Sequence, residues 1–360
     1  MKRIPTNLGL LFFSLAATFP ISDSADAGTK YPINVRVTYS TTYDDNILKY
    51  SARDLERFRT DTELTPSEIT TTDDWVNSLG LRVYADFDIS KKIRFRPYYS
   101  AKANLYAVNP INNYQTHYFL GRFSYRYRYY LFLQYFYMPG YYLRIYRDRD
   151  TNEFHSCRFD LYQPALRFRY RLPPYEIEGE AGREFIYYNR FFTEYDTEAF
   201  FLGINGTYSG IQDVTLSLGY RFKSADNVGF SQTSLLPSSD PLSDAEYGDG
   251  TYEEDQYSFD VSYLLPIDFY WDWKVNFAFS RSIRCYQSEQ SFYQDPFHAG
   301  RKDRRDKINP SLIVSPLQIL DLEFSFLYDL RRTDSPDPTV GSIKNFDDRV
   351  FQVTLVYQVY

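Results

Sequence analysis

The sequence predicts an all-β protein, a transmembrane antiparallel up-and-down β-barrel of about 14 strands. Three observations lead to this prediction. One hairpin alternates strictly between apolar and charged residues, and the predicted strands are joined alternately by long and short connections. The composition is also rich in aromatic residues, with 37 Tyr and 30 Phe. These residues suit a pleated surface that is half buried.

The hairpin at residues 164–188 shows the alternation most clearly. Its apolar residues share one face and its charged residues the other, because successive strand residues point to opposite sides. Pairing the two strands about the turn at 172–175 places opposite charges directly across from each other, which stabilises the register. The expected pairs are Arg171 with Glu176, Arg169 with Glu178 and Arg167 with Glu180. In a barrel, the apolar face would meet lipid and the charged face a wet interior.

Residues 1–27 have the pattern of a secretory signal peptide. Lys2 and Arg3 precede an apolar run at 8–19, and Ala25-Asp26-Ala27 fits the cleavage rule. The apolar run is too short to span a bilayer as a helix, and no later segment approaches roughly twenty continuous apolar residues. We therefore expect the mature barrel to comprise residues 28–360 and to insert through strands.

The strand count and the lengths of the connections predict the location. Short turns on one side and longer loops on the other are typical of bacterial outer-membrane barrels. We therefore expect the cell outer membrane, with both termini in the periplasm. Bulges are expected at 139–140 and 163–164, where proline interrupts the pattern. The predicted strands are 33–43, 76–89, 93–107, 114–129, 131–146, 154–172, 175–188, 197–208, 214–223, 256–265, 273–285, 307–315, 320–330 and 348–360.

The signal peptide, the alternating strands and the final Tyr360 resemble Gram-negative outer-membrane β-barrels in general. Residues 43–47, Tyr-Asp-Asp-Asn-Ile, are similar to the first strand–loop junction of uncharacterised barrels near exopolysaccharide systems. They also resemble the barrel half of surface-lipoprotein assembly modifiers, although the helical repeats of those proteins are not found in this sequence. The resemblance implies a membrane-inserted barrel whose C-terminal aromatic residue addresses it to the barrel-assembly machinery.

Charged residues that alternate with the apolar face are the candidates for lining the barrel. A basic wall opposite an acidic wall attracts anions, and charged walls select solutes in pores. We therefore predict a passive diffusion channel for small anionic or sugar-like solutes. About fourteen strands leave more room than an eight-stranded barrel, although paired charges could instead fill a narrow lumen. The predicted pore-lining residues are Arg94, Arg96, Arg126, Arg128, Arg167, Arg169, Arg171, Glu176, Glu178, Glu180 and Asp86.

Two other functions are compatible with the sequence. One is a non-conducting component of an envelope or exopolysaccharide export system, with envelope proteins as partners. The other is a surface adhesin or receptor that uses the acidic loop at 224–255, which lies beside outer-membrane lipid and lipopolysaccharide. Carboxylates in that loop could bind divalent cations or simply keep the loop soluble. The net charge of −7 argues against a nucleic-acid partner.

The sequence does not predict an enzyme, a cofactor or a metal. Only His117, His155 and His298 are available for acid–base chemistry, and His117 shares the phase of the outward apolar residues. Two further possibilities stay open. One is a disulfide between Cys157 and Cys285. The other is a carbohydrate-stacking track made by inward rings, namely Tyr84, Tyr98, Phe136 and Tyr142.

Overall fold

The sheet closes on itself, because the first strand pairs with both the second and the last strand. The computed structural model describes residues 33–60, 68–148, 151, 153–230, 247–267 and 271–359, and these form a closed antiparallel barrel of 14 strands. This confirms the predicted fold class. The predicted signal peptide at 1–27 and the terminal Tyr360 lie outside the described residues.

Each strand pairs with its neighbours in the chain, which is an up-and-down order. Strands β2 and β3 both pair with β4 and are separated only by Asp86, so together they make one barrel strand. The strands are β1 Ile33–Asp44, β2 Asp74–Ala85, β3 Phe87–Ser90, β4 Ile93–Tyr106, β5 Tyr114–Tyr125, β6 Tyr129–Arg147, β7 Phe154–Leu172, β8 Tyr175–Tyr188, β9 Thr197–Ile211, β10 Val214–Asp226, β11 Tyr252–Leu265, β12 Asp272–Tyr286, β13 Lys302–Leu317, β14 Leu320–Asp334 and β15 Phe346–Val359.

The alternation of the hairpin becomes the two faces of the barrel wall. Leu166 and Ile177 are both 54% exposed on the outer surface. The side chains that alternate with these along each strand point inward and are far less exposed, at 23% for Arg167 and 15% for Glu178. Exposed apolar side chains occur on most of the strands. An apolar outer surface around a charged interior is the arrangement of a transmembrane barrel.

The connections also alternate as the sequence predicts. The longer connections lie at one end of the barrel, called the loop end below, and include residues 45–73, 189–196, 227–251 and 287–301. The tight turns lie at the other end, where Val35 at the start of the described barrel pairs with Val359 at its end.

Four strand boundaries differ from the prediction by four or more residues, one of them the end of β14 at Asp334 instead of residue 330. Strand β5 ends at Tyr125, because Arg126 and Tyr127 have positive φ angles of 50° and 53°. The amide of Arg128 then donates to the Tyr125 carbonyl at 3.1 Å, which closes the tight turn at 126–128. Strands β11 and β13 begin earlier than predicted, at Tyr252 and Lys302. Charges on both faces of these strand ends obscure the apolar alternation in the sequence.

One of the two predicted bulges is confirmed. The register shifts between Met138 and Tyr141, where Gly140 has a φ of +57°. The bulge predicted at 163–164 is wrong. Tyr162 pairs with Phe185 and Ala165 with Gly182, so the register is the same on both sides of Pro164. The proline removes an N–H donor from the ladder without inserting a residue.

Two short helices occur in the loops and were not predicted. Helix α1, Ala52–Arg59, begins at Ser51, whose hydroxyl accepts a hydrogen bond from the Asp54 amide at 3.1 Å. Helix α2, Pro338–Lys344, is capped in the same way by Asp337. Both caps are recognisable sequence signals. Neither helix of the described part is long or apolar enough to cross a membrane.

The two cysteines do not form a disulfide, and both are free. Cys157 is fully buried in a cluster with Tyr146 and Phe192. Cys285 lies on β12, which is not adjacent to β7 in the sheet. The order of the strands therefore excludes the disulfide between Cys157 and Cys285 that the sequence left open.

Gly182 is expected to tolerate no larger side chain. A Cβ atom there would overlap the ring of Phe201, which is 1% exposed, and would lie 2.8 Å from the Cβ of Ala165. Overpacking of this kind costs about 1–3 kcal/mol. We expect Gly182→Val to lower the urea midpoint of the refolded barrel, measured by tryptophan fluorescence. Gly179→Val is the matched control, because a Cβ at Gly179 has no neighbour within 4 Å. Equal midpoints for the two variants would contradict the packing argument.

Candidate functional site

The hairpin of β7 and β8 forms one charged wall of the lumen. Its register confirms all three expected Arg–Glu pairings. The ion pairs follow this register only in part. Arg171 bonds Glu176 at 2.9 Å, and Arg169 lies between Glu176 and Glu178 at 3.2 and 2.8 Å. Arg167 bonds Glu178 at 3.1 Å instead of Glu180, the residue directly opposite. Each arginine of this wall is thus held by a carboxylate.

A second group of predicted residues lies on β3, β4 and β5. Arg94 bonds Asp88 at 2.7 Å, and Arg96 bonds Asp86 at 2.8 Å. Arg122 lies 3.9 Å from the same Asp86. These arginines are also largely compensated by carboxylates. The basic walls that the sequence indicates therefore carry little excess charge.

Arg126 and Arg128 do not belong to either wall. Both lie in the exposed turn between β5 and β6, outside the strand to which the sequence assigned them. The prediction placed these residues in β5 because Tyr125 and Tyr127 continue the alternation of that strand into the turn.

The structure adds a lumenal cavity that the sequence did not indicate. It has a volume of about 200 Å³ and is lined entirely by polar and charged side chains from β11, β12, β13 and β14. We call it the lumenal cavity below. Its lining residues are Glu254, Gln256, Ser280, Ser282, Arg284, Asp303, Arg305, Lys307 and Arg331.

Ion pairs neutralise part of this cavity. Arg284 bonds Glu254 at 2.8 Å, and Arg305 bonds Asp329 at 2.7 Å. Asp303 accepts from Arg301 at 2.9 Å, and both of these side chains are buried. Each pair joins neighbouring strands or adjacent positions, so the pairs also cross-link the wall.

Two cations of the lumenal cavity keep no such partner. Within the described part of the chain, neither Lys307 nor Arg331 has a carboxylate oxygen within 4.0 Å. Arg331 donates from Nε to the Lys344 carbonyl at 2.6 Å, and its guanidinium lies 5.0 Å from the ring centre of Phe346. Both residues therefore leave positive charge facing the cavity.

Arg221 on β10 lies outside the lumenal cavity and also has no carboxylate within 4.0 Å among the described residues. Its guanidinium lies 3.8 Å from the ring centre of Phe201. Its buried Nε and Nη2 atoms have no hydrogen-bond partner among the described residues. The adjacent Lys223, by contrast, bonds Glu184 at 2.9 Å.

The loop end of the lumen is partly filled by the first loop. Lys49 reaches back to Asp44 at 3.4 Å and to Asp348, whose side chain is fully buried. Asn46 donates to the carbonyls of Tyr50 and Asp347 at 2.9 and 3.1 Å. The segment 43–47 that carries the family resemblance thus anchors the loop to the barrel wall. Carboxylates of Asp44, Asp45 and Asp348 come together here, but the Lys49 ammonium supplies the cation.

A second loop, residues 189–196, packs on the same end. Phe192 is fully buried against Tyr146 and Cys157. Burial raises the pKa of the Asp196 carboxyl, although this carboxyl accepts a hydrogen bond from the Tyr188 amide at 2.7 Å. Burial also raises the pKa of Tyr195 well above its ordinary value. This loop is therefore a packed element of the barrel end.

The histidines are placed in structural roles. His117 accepts or donates a hydrogen bond with the Tyr99 hydroxyl at 2.9 Å on the outward face. His298 lies 2.8 Å from the fully buried Asp295, so a loop does join a histidine with an aspartate. Ser288 donates to that same carboxylate at 2.8 Å and not to the imidazole. The Asp295 carboxylate thus holds Ser288 and His298 together within the loop at 287–301.

Three of the four inward rings proposed for sugar stacking are covered by other groups of the described structure. Arg96 lies 4.4 Å from the ring centre of Tyr84, and Arg82 lies 5.3 Å from that of Tyr98. Tyr142 is 4% exposed beneath the first loop. These contacts do not support the stacking track that the sequence left open.

The structure thus combines a closed barrel wall, an apolar outer surface and connections of alternating length. The chain folds as a closed antiparallel β-barrel with an apolar outer surface. Comparison with known proteins found no matching family model and no matching curated protein.

Solved structures with a similar architecture include an anion-selective porin from Comamonas acidovorans, with 9% identity, a TM-score of 0.44 and coverage of 92% of this chain and 99% of that one. The outer-membrane channel DcaP of Acinetobacter baumannii has 9% identity, a TM-score of 0.45 and coverage of 93% and 99%. A bacterial polysaccharide outer membrane secretin has 8% identity, a TM-score of 0.43 and coverage of 92% and 100%. At these values, neither substrate nor partner is transferred to this chain.

Proposed function

We propose that this protein is a passive diffusion channel of the cell outer membrane, with a preference for small anionic or sugar-like solutes. The observation that carries the proposal is the lumenal cavity, in which Lys307 and Arg331 face the interior without a carboxylate partner in the described chain. Cations on a low-dielectric wall raise the local concentration of anions. Charged side chains on a pore wall are a common basis of solute selectivity.

The membrane location is supported by the outer surface. Large apolar side chains such as Leu166, Ile177 and Leu218 are more than half exposed there. Such a surface is stable in contact with lipid and unfavourable in water. The tight turns and both ends of the described chain would then lie in the periplasm, and the loop end outside. Delivery by the barrel-assembly machinery stays a prediction.

The anion preference follows from the balance of lumenal charges. On the walls of β3–β5 and β7–β8, the arginines are matched almost one for one by carboxylates. On the wall of β11–β14, five cations face three carboxylates. The cations are Arg284, Arg301, Arg305, Lys307 and Arg331, and the carboxylates are those of Glu254, Asp303 and Asp329. The predicted attraction for anions is retained, but it comes from a different wall.

The decisive experiment is a single-channel recording of refolded residues 28–360 in a planar bilayer under a salt gradient. We expect steady openings and a reversal potential on the anion side. A reversal potential on the cation side would contradict the role of the lumenal cavity. A barrel that inserts without conducting would contradict the channel itself.

One alternative has a structural observation in its favour. The first loop and residues 189–196 pack into the loop end, which is how a non-conducting component of an envelope or exopolysaccharide export system would be closed. A silent barrel in the recording would support this alternative. The adhesin or receptor alternative depends on acidic residues of the 224–255 loop, of which Asp240, Asp244 and Glu246 lie outside the described residues. We also expect no enzymatic activity and no nucleic-acid partner.

A further inference from the structure

The outer surface carries a basic patch near the loop end of four adjacent strands. Five cations project outward from β12, β13, β14 and β15. The strand residues directly before and after each of them point into the lumen. We call them the external basic patch. Its members are Arg281, Lys302, Arg304, Arg332 and Arg349.

Two arginines of the patch face each other directly. Arg304 on β13 is the register partner of Arg332 on β14. Like charges at facing positions destabilise a strand pair. Both side chains are also well exposed, at 51% and 43%. An anion bound between the two guanidinium groups would remove the repulsion.

Carboxylates compensate the patch only in part. Asp306 is shared between Arg281 at 2.7 Å and Arg304 at 3.5 Å, and Asp347 bonds Arg332 at 2.7 Å. Lys302 faces the exposed Asp334 in the register, but over the described ranges neither Lys302 nor Arg349 has a carboxylate within 4.0 Å. Five cations are thus set against the three carboxylates of Asp306, Asp334 and Asp347. The patch therefore carries a net positive charge that faces away from the lumen.

The patch borders the apolar outer surface. On the same face of β13, Ile308 lies four residues from Arg304 and is 36% exposed, a separation of roughly 13 Å along a strand. Phe277 and Phe351 on neighbouring strands are 40% and 54% exposed. A ligand with phosphates at one end and acyl chains at the other would match this order of charge and apolar surface.

The opposite side of the barrel differs. Near the loop end of β8 and β9, the outward Arg183 is paired with Glu198 at 3.2 Å. On β10 and β11, the Tyr220 hydroxyl donates to the outward Asp255 at 2.6 Å. In the described register, β8–β11 contain no facing pair of arginines like that of Arg304 and Arg332.

We propose that the external basic patch binds the lipid A phosphates of lipopolysaccharide, with the acyl chains along the apolar surface below it. Arginine forms strong charge-assisted hydrogen bonds with phosphate, often through two N–H groups at once. The proposal rests on the outer-membrane location in the proposed function, but it does not require the barrel to conduct.

The test uses the refolded barrel in detergent and hexa-acylated lipid A carrying both phosphates as the probe. The variant is Arg304→Ser with Arg332→Ser, and the control is Arg183→Ser, an outward arginine five residues before the loop end of β8. We expect the double variant to bind lipid A at least about tenfold more weakly, which corresponds to the loss of one charge-assisted contact. The control is expected to match the wild type.

Two further binding measurements identify the chemical group that the external basic patch recognises. Lipid A without phosphates should bind the wild type as weakly as intact lipid A binds the double variant, and inorganic phosphate should compete only at far higher concentration. Equal losses in the double variant and the Arg183 control, or undiminished binding of dephosphorylated lipid A, would overturn the proposal. Folding of each variant is checked by its heat-dependent gel mobility. Conductance of the same samples separates this result from a failure of the channel.

Discussion

Replacing Lys307 with glutamate is expected to lower the anion-to-cation permeability ratio of the barrel roughly tenfold. Lys307 lines the lumenal cavity and has no carboxylate within 4.0 Å in the described structure. The substitution changes the wall by two charge units. Each unit is worth at most about 1 kcal/mol to an ion roughly 4 Å away in water, and salt screening lowers the sum to roughly the value of a tenfold change. The ratio is obtained from the reversal potential in a planar bilayer under a salt gradient.

Lys302→Glu is the matched control for this prediction. It makes the same change on the same strand, but Lys302 projects from the outer surface and not into the lumen. A bilayer without lipopolysaccharide leaves the external basic patch unoccupied, so only the position relative to the pore differs between the variants. If both substitutions shift the reversal potential equally, selectivity does not arise in the lumenal cavity.

Lys49→Ala is expected to loosen the first loop and to lower the apparent melting midpoint of the barrel by roughly 5 °C. The Lys49 ammonium lies between the carboxylates of Asp44 and Asp348, and the latter is fully buried. Removing one partner of a buried ion pair leaves an uncompensated charge, at a cost of about 3 kcal/mol. That estimate is at the low end because Lys49 is 32% exposed. Heat-dependent gel mobility measures the midpoint.

The same variant should respond to pH. In Lys49→Ala the Asp44 and Asp348 carboxylates lose the cation between them, and their repulsion disappears once one of them takes up a proton as the pH falls. The difference in midpoint from the wild type should therefore shrink as the pH falls. Lys91→Ala in the exposed turn between β3 and β4 is the control, with no expected change. A difference that is independent of pH would contradict the ion-pair explanation.

The hairpin of β7 and β8 illustrates how much of this fold was predictable. Its register and the inward direction of its arginines follow from a period of two in the sequence, together with one turn. Such information is local, because each strand residue reports its face through its neighbours. The same reasoning failed at Arg126 and Arg128, where the alternation continues into a turn with positive φ angles.

The lumenal cavity illustrates what was missed. Asp303, Arg305 and Lys307 alternate in the sequence, a signal that would have extended the predicted strand toward Lys302. No local pattern, however, brings Glu254 and Arg331 to the same cavity, because they lie on strands far apart in the chain. Their meeting depends on the register of three successive strand pairs.

The sequence by itself determined the barrel, its approximate strand count, the long and short connections and the lumenal face of each hairpin. These depend on alternation and turn signals, which are properties of adjacent residues. Only the tertiary structure decided which cations keep a carboxylate partner. Whether an arginine is neutralised depends on the side chains across two strand interfaces, so Arg169 is paired while Lys307 and Arg331 are left to face the lumen.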